Sequence, residues 1–252
     1  EPEVNYNRIM LSPVLAGETT FDEIVINGRD WYADNGIELR AGEEVIAIDP
    51  ATREIVTATG ERAGYDRLLI ATGSSPFIIP VPGASLDGVI AFRDIEDVRH
   101  MTAAAKKGGR AVVIGGGLLG LEAANGLRTN GMDVTVIHLM DTLMERQLDE
   151  AAGFLLRREL ESRGIEVFTE ASTQEILGED VVEGVKLKDG RVVPADLVVM
   201  AAGIRPNTSL ASHAGLECNR GIVVDDLMQT SDPDILAVGE CIEHRGQVYG
   251  LV

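Results

Sequence analysis

The sequence predicts an α/β fold built on parallel sheets, and three observations carry that prediction. Short apolar runs that read as strands alternate with amphipathic helical runs along most of the chain. An apolar strand at 110–114 leads straight into Gly115-Gly116-Gly117-Leu118-Leu119-Gly120, a Gly-x-Gly-x-x-Gly turn, and a helix follows with Leu121, Ala124 and Leu127 at helical spacing. Gly131 stops that helix, and 133–138 reads as the second parallel strand of a βαβ unit.

The remaining elements follow in order. Residues 1–42 read as irregular, punctuated by Pro2, Pro13, Gly17 and Gly28, with a short helix over 29–35 ended by Gly36. Runs 44–49 and 53–58 form a hairpin around Asp49-Pro50-Ala51-Thr52. Residues 65–73 read as a buried strand closing on a turn, and the Pro-rich run 76–83 as a connector. Asp94 can cap a helix through Lys106 with Ile95, Val98 and Met101 facing inward. A helix over 148–163 presents Ala152, Leu155, Leu156 and Leu160 as its apolar face, and Gly164 stops it before a strand at 165–169. Segments 184–187 and 191–193 pair around Lys188-Asp189-Gly190. Three more strand runs follow, 196–202, 221–224 and 234–238, the first and last closing on a glycine.

Each glycine of the turn has its own task. Gly115 permits the tight exit from the strand, Gly117 lets the backbone approach a pyrophosphate, and Gly120 lets the helix pack against the sheet. The phosphates would rest on the unpaired N–H groups of the first helical turn, at Leu118 and Leu119, where the helix dipole is positive. The pattern therefore points to a dinucleotide, against the alternative of a plain strand–helix turn.

Charge and cysteine content exclude other classes. The 41 acidic and 22 basic residues leave a net charge of −19, which argues against nucleic acid and anionic membrane surfaces as partners. No apolar run reaches the roughly 18–20 residues of a spanning helix. Cys218 and Cys241 make no disulfide framework, no redox Cys-x-x-Cys and no metal set, so buried free thiols in a cytoplasmic protein are expected.

Several motifs recur together: 65–73, 115–122, Ala202-Gly203-Ile204-Arg205-Pro206-Asn207, and 230–240. In order and spacing they resemble the flavoproteins with two dinucleotide-binding domains, the pyridine nucleotide:FAD oxidoreductases. Asn5-Tyr6-Asn7-Arg8-Ile9-Met10-Leu11-Ser12 is similar to nitrite reductase large subunits and to rubredoxin and ferredoxin reductases. The run 138–149, with 229–235, looks most like the nitrite reductase branch. The resemblance implies two Rossmann-like domains: a discontinuous FAD domain formed by residues 1–95 and 217–252, and an NAD(P) domain formed by 96–216. It places Ala71, Thr72 and Gly73 against FAD, Arg8 and Ser12 toward its phosphate or ribityl side, and Arg93 near the flavin. Gly239 and Glu240 would meet the ribityl–pyrophosphate region, where relatives commonly carry an aspartate. Gly203 belongs to the same binding set, and Glu122 would stand where nicotinamide meets flavin as the candidate catalytic residue.

The family's first glycine fingerprint, which holds the FAD pyrophosphate, is expected before Glu1, and the truncated sheet would expose strand edges that invite a homo-oligomer. An iron–sulfur and siroheme portion is expected after Val252, with downstream redox domains and a small subunit as partners. In NAD enzymes an acid about 20 positions beyond the glycines binds the ribose 2′-OH. Here His138 stands there, able if protonated to pair with a 2′-phosphate or simply to face solvent, which leaves the cofactor as NAD(P)H. The expected activity is hydride transfer from NAD(P)H to FAD for onward electron transfer. The alternatives are a rubredoxin or ferredoxin reductase, a nucleotide-binding module without activity, and an interaction fragment. A glutathione-reductase-like mechanism is excluded, because the two cysteines lie 23 residues apart and outside the N-terminal segment.

Overall fold

Residues 1–249 are described by the structure, a computed structural model. The chain opens with helices α1 (Leu11–Ala16), α2 (Phe21–Ile24) and α3 (Arg29–Asp34). Strands β1 (Val45–Asp49), β2 (Glu54–Thr57), β3 (Arg62–Gly64), β4 (Leu68–Ile70), β5 (Ser74–Pro76) and β6 (Val89–Ala91) follow. Then come α4 (Ile95–Lys107), β7 (Arg110–Ile114), α5 (Leu118–Thr129), β8 (Asp133–Ile137), α6 (Glu150–Ser162) and β9 (Ile165–Phe168). The chain continues with β10 (Thr173–Gly178), β11 (Val182–Leu187), β12 (Val192–Pro194), β13 (Leu197–Met200) and β14 (Ile204–Pro206). It closes with α7 (Ser209–His213), β15 (Ile222–Val224), β16 (Ile235–Ala237), β17 (Ile242–His244) and β18 (Gln247–Val248).

These elements form two compact units. One comprises Glu1–Tyr6, Asn27–Ser75 and the residues from Ile204 onward; the other comprises Asn7–Ile26 and Pro76–Gly203. The edges differ from the expected 95/96 and 216/217, and pairing explains why. Strand β6 hydrogen-bonds in parallel to β13, which draws 76–95 into the second unit. Helix α7 packs on β1, which draws 204–216 into the first. Residues 7–26 join the second unit because α1 lies on α5, where Leu15 fills the space above Gly126 and Asn130 Nδ2 donates to the Leu15 carbonyl at 2.6 Å.

The second unit is built on a parallel sheet of order β6-β13-β7-β8-β9. Strand alternation divides its side chains between two faces. Val112, Ile114, Ile137, Val198 and Met200 share one apolar cluster with Ile176, Val182, Val185, Leu187 and Val193 of the antiparallel sheet β10-β11-β12. Helix α5 covers the opposite face, burying Leu121, Ala124 and Leu127 as their spacing predicted. Helix α4 begins at a capping box: Asp94 accepts from the Glu96 and Asp97 N–H groups, and Asp97 accepts in return from the Asp94 N–H. The inward Ile95, Val98 and Met101 match the expected face.

Two helical and strand expectations need correction. Helix α6 is shorter than 148–163 because Asp149 caps it, accepting from the Ala152 N–H at 2.8 Å. Its buried residues are Gly153 and Leu160, seven apart, whereas Leu155 is 64% exposed. The helix is seated by the small residue at 153, where Thr142 lies so close that a Cβ would meet its methyl at 2.3 Å. The strand expected over 65–73 forms only as β4, and Leu69 is 57% exposed, because β4 pairs with β16 alone among the described strands.

The first unit holds the hairpin sheet β1-β2-β3, the parallel pair β16-β4 and the sheet β15-β17-β18 around Ile48, Ile70, Ile222, Ile235, Ala237 and Ile242. Cys241 is buried in that core and Cys218 packs beside it; both thiols are free. Burial pushes the Cys218 thiol up, which disfavours the thiolate a redox cysteine needs. Among the described residues, no helix is long and apolar enough to cross a membrane, and no group of three or more His, Cys, Asp or Glu is placed to hold a metal ion.

Candidate nucleotide site

The turn between β7 and α5 is shaped by exclusion on one side and open space on the other. Gly115 adopts φ +128°, and a Cβ there would meet the Ala201 carbonyl oxygen at 2.2 Å. A Cβ at Gly120 would meet the Gly115 carbonyl oxygen at 2.1 Å, so α5 rests directly on the turn it leaves. Gly117 differs: nothing lies within 4 Å of where its Cβ would be. It is the N-cap of α5, no side chain caps that end, and Leu118 beside it is exposed. Orphan N–H groups at a positive helix end, fronted by free space, suit an anion such as a pyrophosphate.

Gly116, between the two motif glycines, is equally constrained, although sequence reasoning passed over it. A Cβ there would lie 2.6 Å from both His138 Cγ and Leu143 Cδ2. Its N–H donates to His138 Nδ1 at 3.0 Å, and its carbonyl accepts from the Met144 N–H at 3.0 Å. Because Nδ1 accepts, the ring proton sits on Nε2, which points to the Thr142 carbonyl at 3.1 Å and Glu145 Oε2 at 3.2 Å. His138 is 7% exposed. The sequence suggested a ring turned toward a 2′-phosphate or toward solvent; both nitrogens are instead engaged within the protein. A third glycine in a row, where the motif needs two, was the one signal that could have pointed to this contact.

Elsewhere in the same unit, Glu122 on α5 accepts a hydrogen bond from Ser12 Oγ at 2.5 Å, across the α1–α5 packing. Arg8 Nη1 donates to the Arg93 carbonyl at 2.6 Å, and the Arg93 N–H donates to Asp97 Oδ2 at 2.6 Å. Burial pushes the Asp97 carboxyl up, with the neighbouring Asp94 charge adding to the effect and these N–H bonds opposing it. Arg8, Ser12, Arg93 and Glu122, far apart in sequence, thus all lie in this unit.

In the other unit, Ala71 and Thr72 are exposed and Gly73 turns with φ +63°. Asn207 ties this turn down: Thr72 Oγ1 donates to its carbonyl at 2.8 Å, its Nδ2 donates to the Thr72 carbonyl at 2.9 Å, and its N–H donates to the Gly73 carbonyl at 2.9 Å. Gly239 (φ +81°) opens a 3-10 turn through Cys241, with nothing within 4 Å of its missing Cβ. Glu240 accepts from the buried Ser74 Oγ at 2.8 Å. Gly203, at the edge of the second unit, has φ +113° and equally open space. Asn207 and Ser74 are the organising side chains here, and neither was singled out from the sequence as a site residue.

Known proteins bear on this arrangement. The pattern of the pyridine nucleotide-disulphide oxidoreductase family matches residues 1–250. The NAD(P)H nitrite reductase of Bacillus subtilis is 56% identical over all 252 residues, and the assimilatory nitrate reductase electron transfer subunit of the same organism is 51% identical. The chain spans about a third of the length of these relatives, 31% and 33%. Among solved structures, the ferredoxin reductase of the CYP199A2 system from Rhodopseudomonas palustris matches the whole chain with TM-score 0.93 at 31% identity, over 63% of its own length. Sequence and architecture agree over the full chain, which belongs to the pyridine nucleotide-disulphide oxidoreductase family.

Proposed function

We propose that this chain is the nucleotide-binding portion of an electron-transfer flavoenzyme of the nitrite reductase large-subunit kind, in which NAD(P)H reduces FAD. The bare N-terminus of α5 carries the nicotinamide half of this reading: Gly115 and Gly120 are forced by packing, while Gly117 is left open. Relatives at 56% and 51% identity support the electron-transfer role.

The Pro76–Gly203 unit is then the NAD(P) unit, and the unit from Asn27 to Ser75 and beyond Ile204 the FAD unit. Gly115–Gly120 is the one Gly-x-Gly-x-x-Gly in the sequence. In the FAD unit the left-handed turns at Gly73 and Gly239, with exposed Ala71 and Thr72, fit the flavin and ribityl side rather than a pyrophosphate cradle. When both cofactors are bound they supply the hydride chemistry themselves. The protein's share is positioning. Leu118 and Leu119 offer backbone N–H groups to the pyrophosphate, Glu122 is held in one rotamer by Ser12, and Arg8 fixes the backbone at Arg93. Siroheme and iron–sulfur centres, downstream redox domains, a small subunit, self-association and a cytoplasmic setting complete the proposal by analogy with the nitrite reductase relatives. A ferredoxin or rubredoxin reductase is the second reading, supported by the structural match, but such relatives are only 31–36% identical.

The test is titration with NADH under anaerobic conditions, after incubation with FAD, for the chain and for Gly117→Ala. The chain should bind NADH and bleach any flavin band, and the variant should melt at the same temperature yet bind about tenfold more weakly. Equal affinity in the two proteins would remove the glycine turn from the binding site.

A further inference from the structure

The end of β8 lacks the carboxylate that normally receives the nucleotide's ribose, and the neighbouring loop brings one to the same place. We propose that Glu145, held by His138, is the ribose-recognising carboxylate, and that it selects NADH against NADPH. The inference rests on the proposed nucleotide site at the glycine turn.

The adenosine ribose of a dinucleotide lies beyond the C-terminal end of the second strand, beside the glycine turn. In this chain that strand end carries His138, whose ring is turned inward to accept the Gly116 N–H. The segment after it doubles back onto the same turn, where the Met144 N–H donates to the Gly116 carbonyl. Met144 takes φ +52°, a left-handed conformation that a non-glycine residue adopts only at an energetic cost. That conformation delivers the next residue, Glu145, beside His138, and the Nε2 proton holds its carboxylate at 3.2 Å. One-third of the Glu145 side chain remains exposed. It faces a groove of about 610 Å³ lined by Asp141, Thr142, Glu145, Leu148, Asp149, Glu150 and Ala151.

The charge of that groove decides the cofactor. Its lining contains four carboxylates and neither lysine nor arginine. A ribose 2′-OH can donate to Glu145. A 2′-phosphate would bring roughly −1.5 to −2 charges against the same groups, with no guanidinium or ammonium among the groove's lining residues to receive them; the exposed Arg146, next in sequence to Glu145, lies outside that lining. His138 cannot serve as that cation while Nδ1 accepts from Gly116. It acts as a positioning residue that fixes the turn with one nitrogen and the selective carboxylate with the other.

The test compares dissociation constants for NADH and NADPH by nucleotide fluorescence in the chain and in three variants, each checked by thermal melting. The chain should prefer NADH by about tenfold or more. Glu145→Gln should lower that ratio and Glu145→Lys should lower it further or reverse it; should Glu145→Lys fail to fold, the isosteric Glu145→Gln decides. His138→Gln, whose amide can accept from Gly116 and donate to Glu145, should keep the preference. A chain that binds both nucleotides equally, or a ratio unmoved by Glu145→Gln, overturns the proposal and leaves the nucleotide site standing. Failure to bind either nucleotide overturns the site itself, and the proposal with it.

Discussion

Gly120→Ala puts the geometry of the turn to a quantitative test. The added Cβ would stand 2.1 Å from the Gly115 carbonyl oxygen and 3.2 Å from Ala201 Cβ. Real Cβ atoms essentially never come within 3.0 Å of such a neighbour, so helix and turn must separate by about 0.9 Å. The turn cannot yield easily: Gly115 is already at φ +128°, and its N–H donates to the Ile137 carbonyl at 2.9 Å. Overpacking of this kind costs about 1–3 kcal/mol, while replacing a glycine in the first turn of a helix by alanine returns at most about 1 kcal/mol in helix propensity. A net loss of about 1–2 kcal/mol lowers the melting temperature by roughly 2–8 °C for a chain of this size. The same displacement moves the Leu118 and Leu119 N–H groups relative to the strand, so NADH affinity should fall about tenfold or more. Circular-dichroism melting and an NADH titration measure both effects. Gly117→Ala is the matched control, since its Cβ meets nothing within 4 Å and should lower affinity alone. A Gly120→Ala protein with unchanged melting temperature and unchanged affinity would refute the close packing of α5 on the turn.

Two further outcomes follow from the packing around this unit. Asp196 accepts from the Arg110 N–H at 2.8 Å and from its guanidinium at 3.2 and 3.3 Å, and these bonds, the guanidinium foremost, hold its carboxyl below the usual aspartate range. A depressed folded value contributes stability above the unfolded value of about 3.9 that is lost as pH falls through the folded one. Asp196→Asn should therefore cost less than about 1 kcal/mol at pH 7, both partners being about half exposed. The gap between the urea midpoints of the two proteins should narrow progressively as pH falls below about 3.9, and a gap that stays constant from pH 7 down to the acid end would count against the linkage. Leu160→Ala should cost about 2–4 kcal/mol in urea unfolding, whereas Leu155→Ala should stay within about 0.5 kcal/mol; the reverse order would mean that α6 is rotated from the face described.

What the sequence revealed divides along a physical line. Strand β7, helix α5 and strand β8 were legible because apolar spacing and glycine positions act locally, and α4 because Asp94 caps it within its own first turn. Strands β3, β10, β17 and β18 were not, since each is a short piece fixed by pairing with another strand and not by its own apolar run. The apolar face of α6 was misread at Leu155 because Leu, unlike the small Gly153, carries no information about which side meets Thr142. The site shows the same division most sharply. Sequence reasoning assigns tasks to Gly115, Gly117 and Gly120 and leaves Gly116 free, yet a side chain at 116 would collide with His138 and Leu143. The position of His138 at the strand end could be read from spacing, but its direction could not, because the group it answers to is a backbone N–H 22 residues earlier. Once that N–H is seen, the missing ribose acid and the third consecutive glycine have one cause: the imidazole fits under the turn only when residue 116 has no side chain. The carboxylate must then come from Glu145 instead of from the strand end itself.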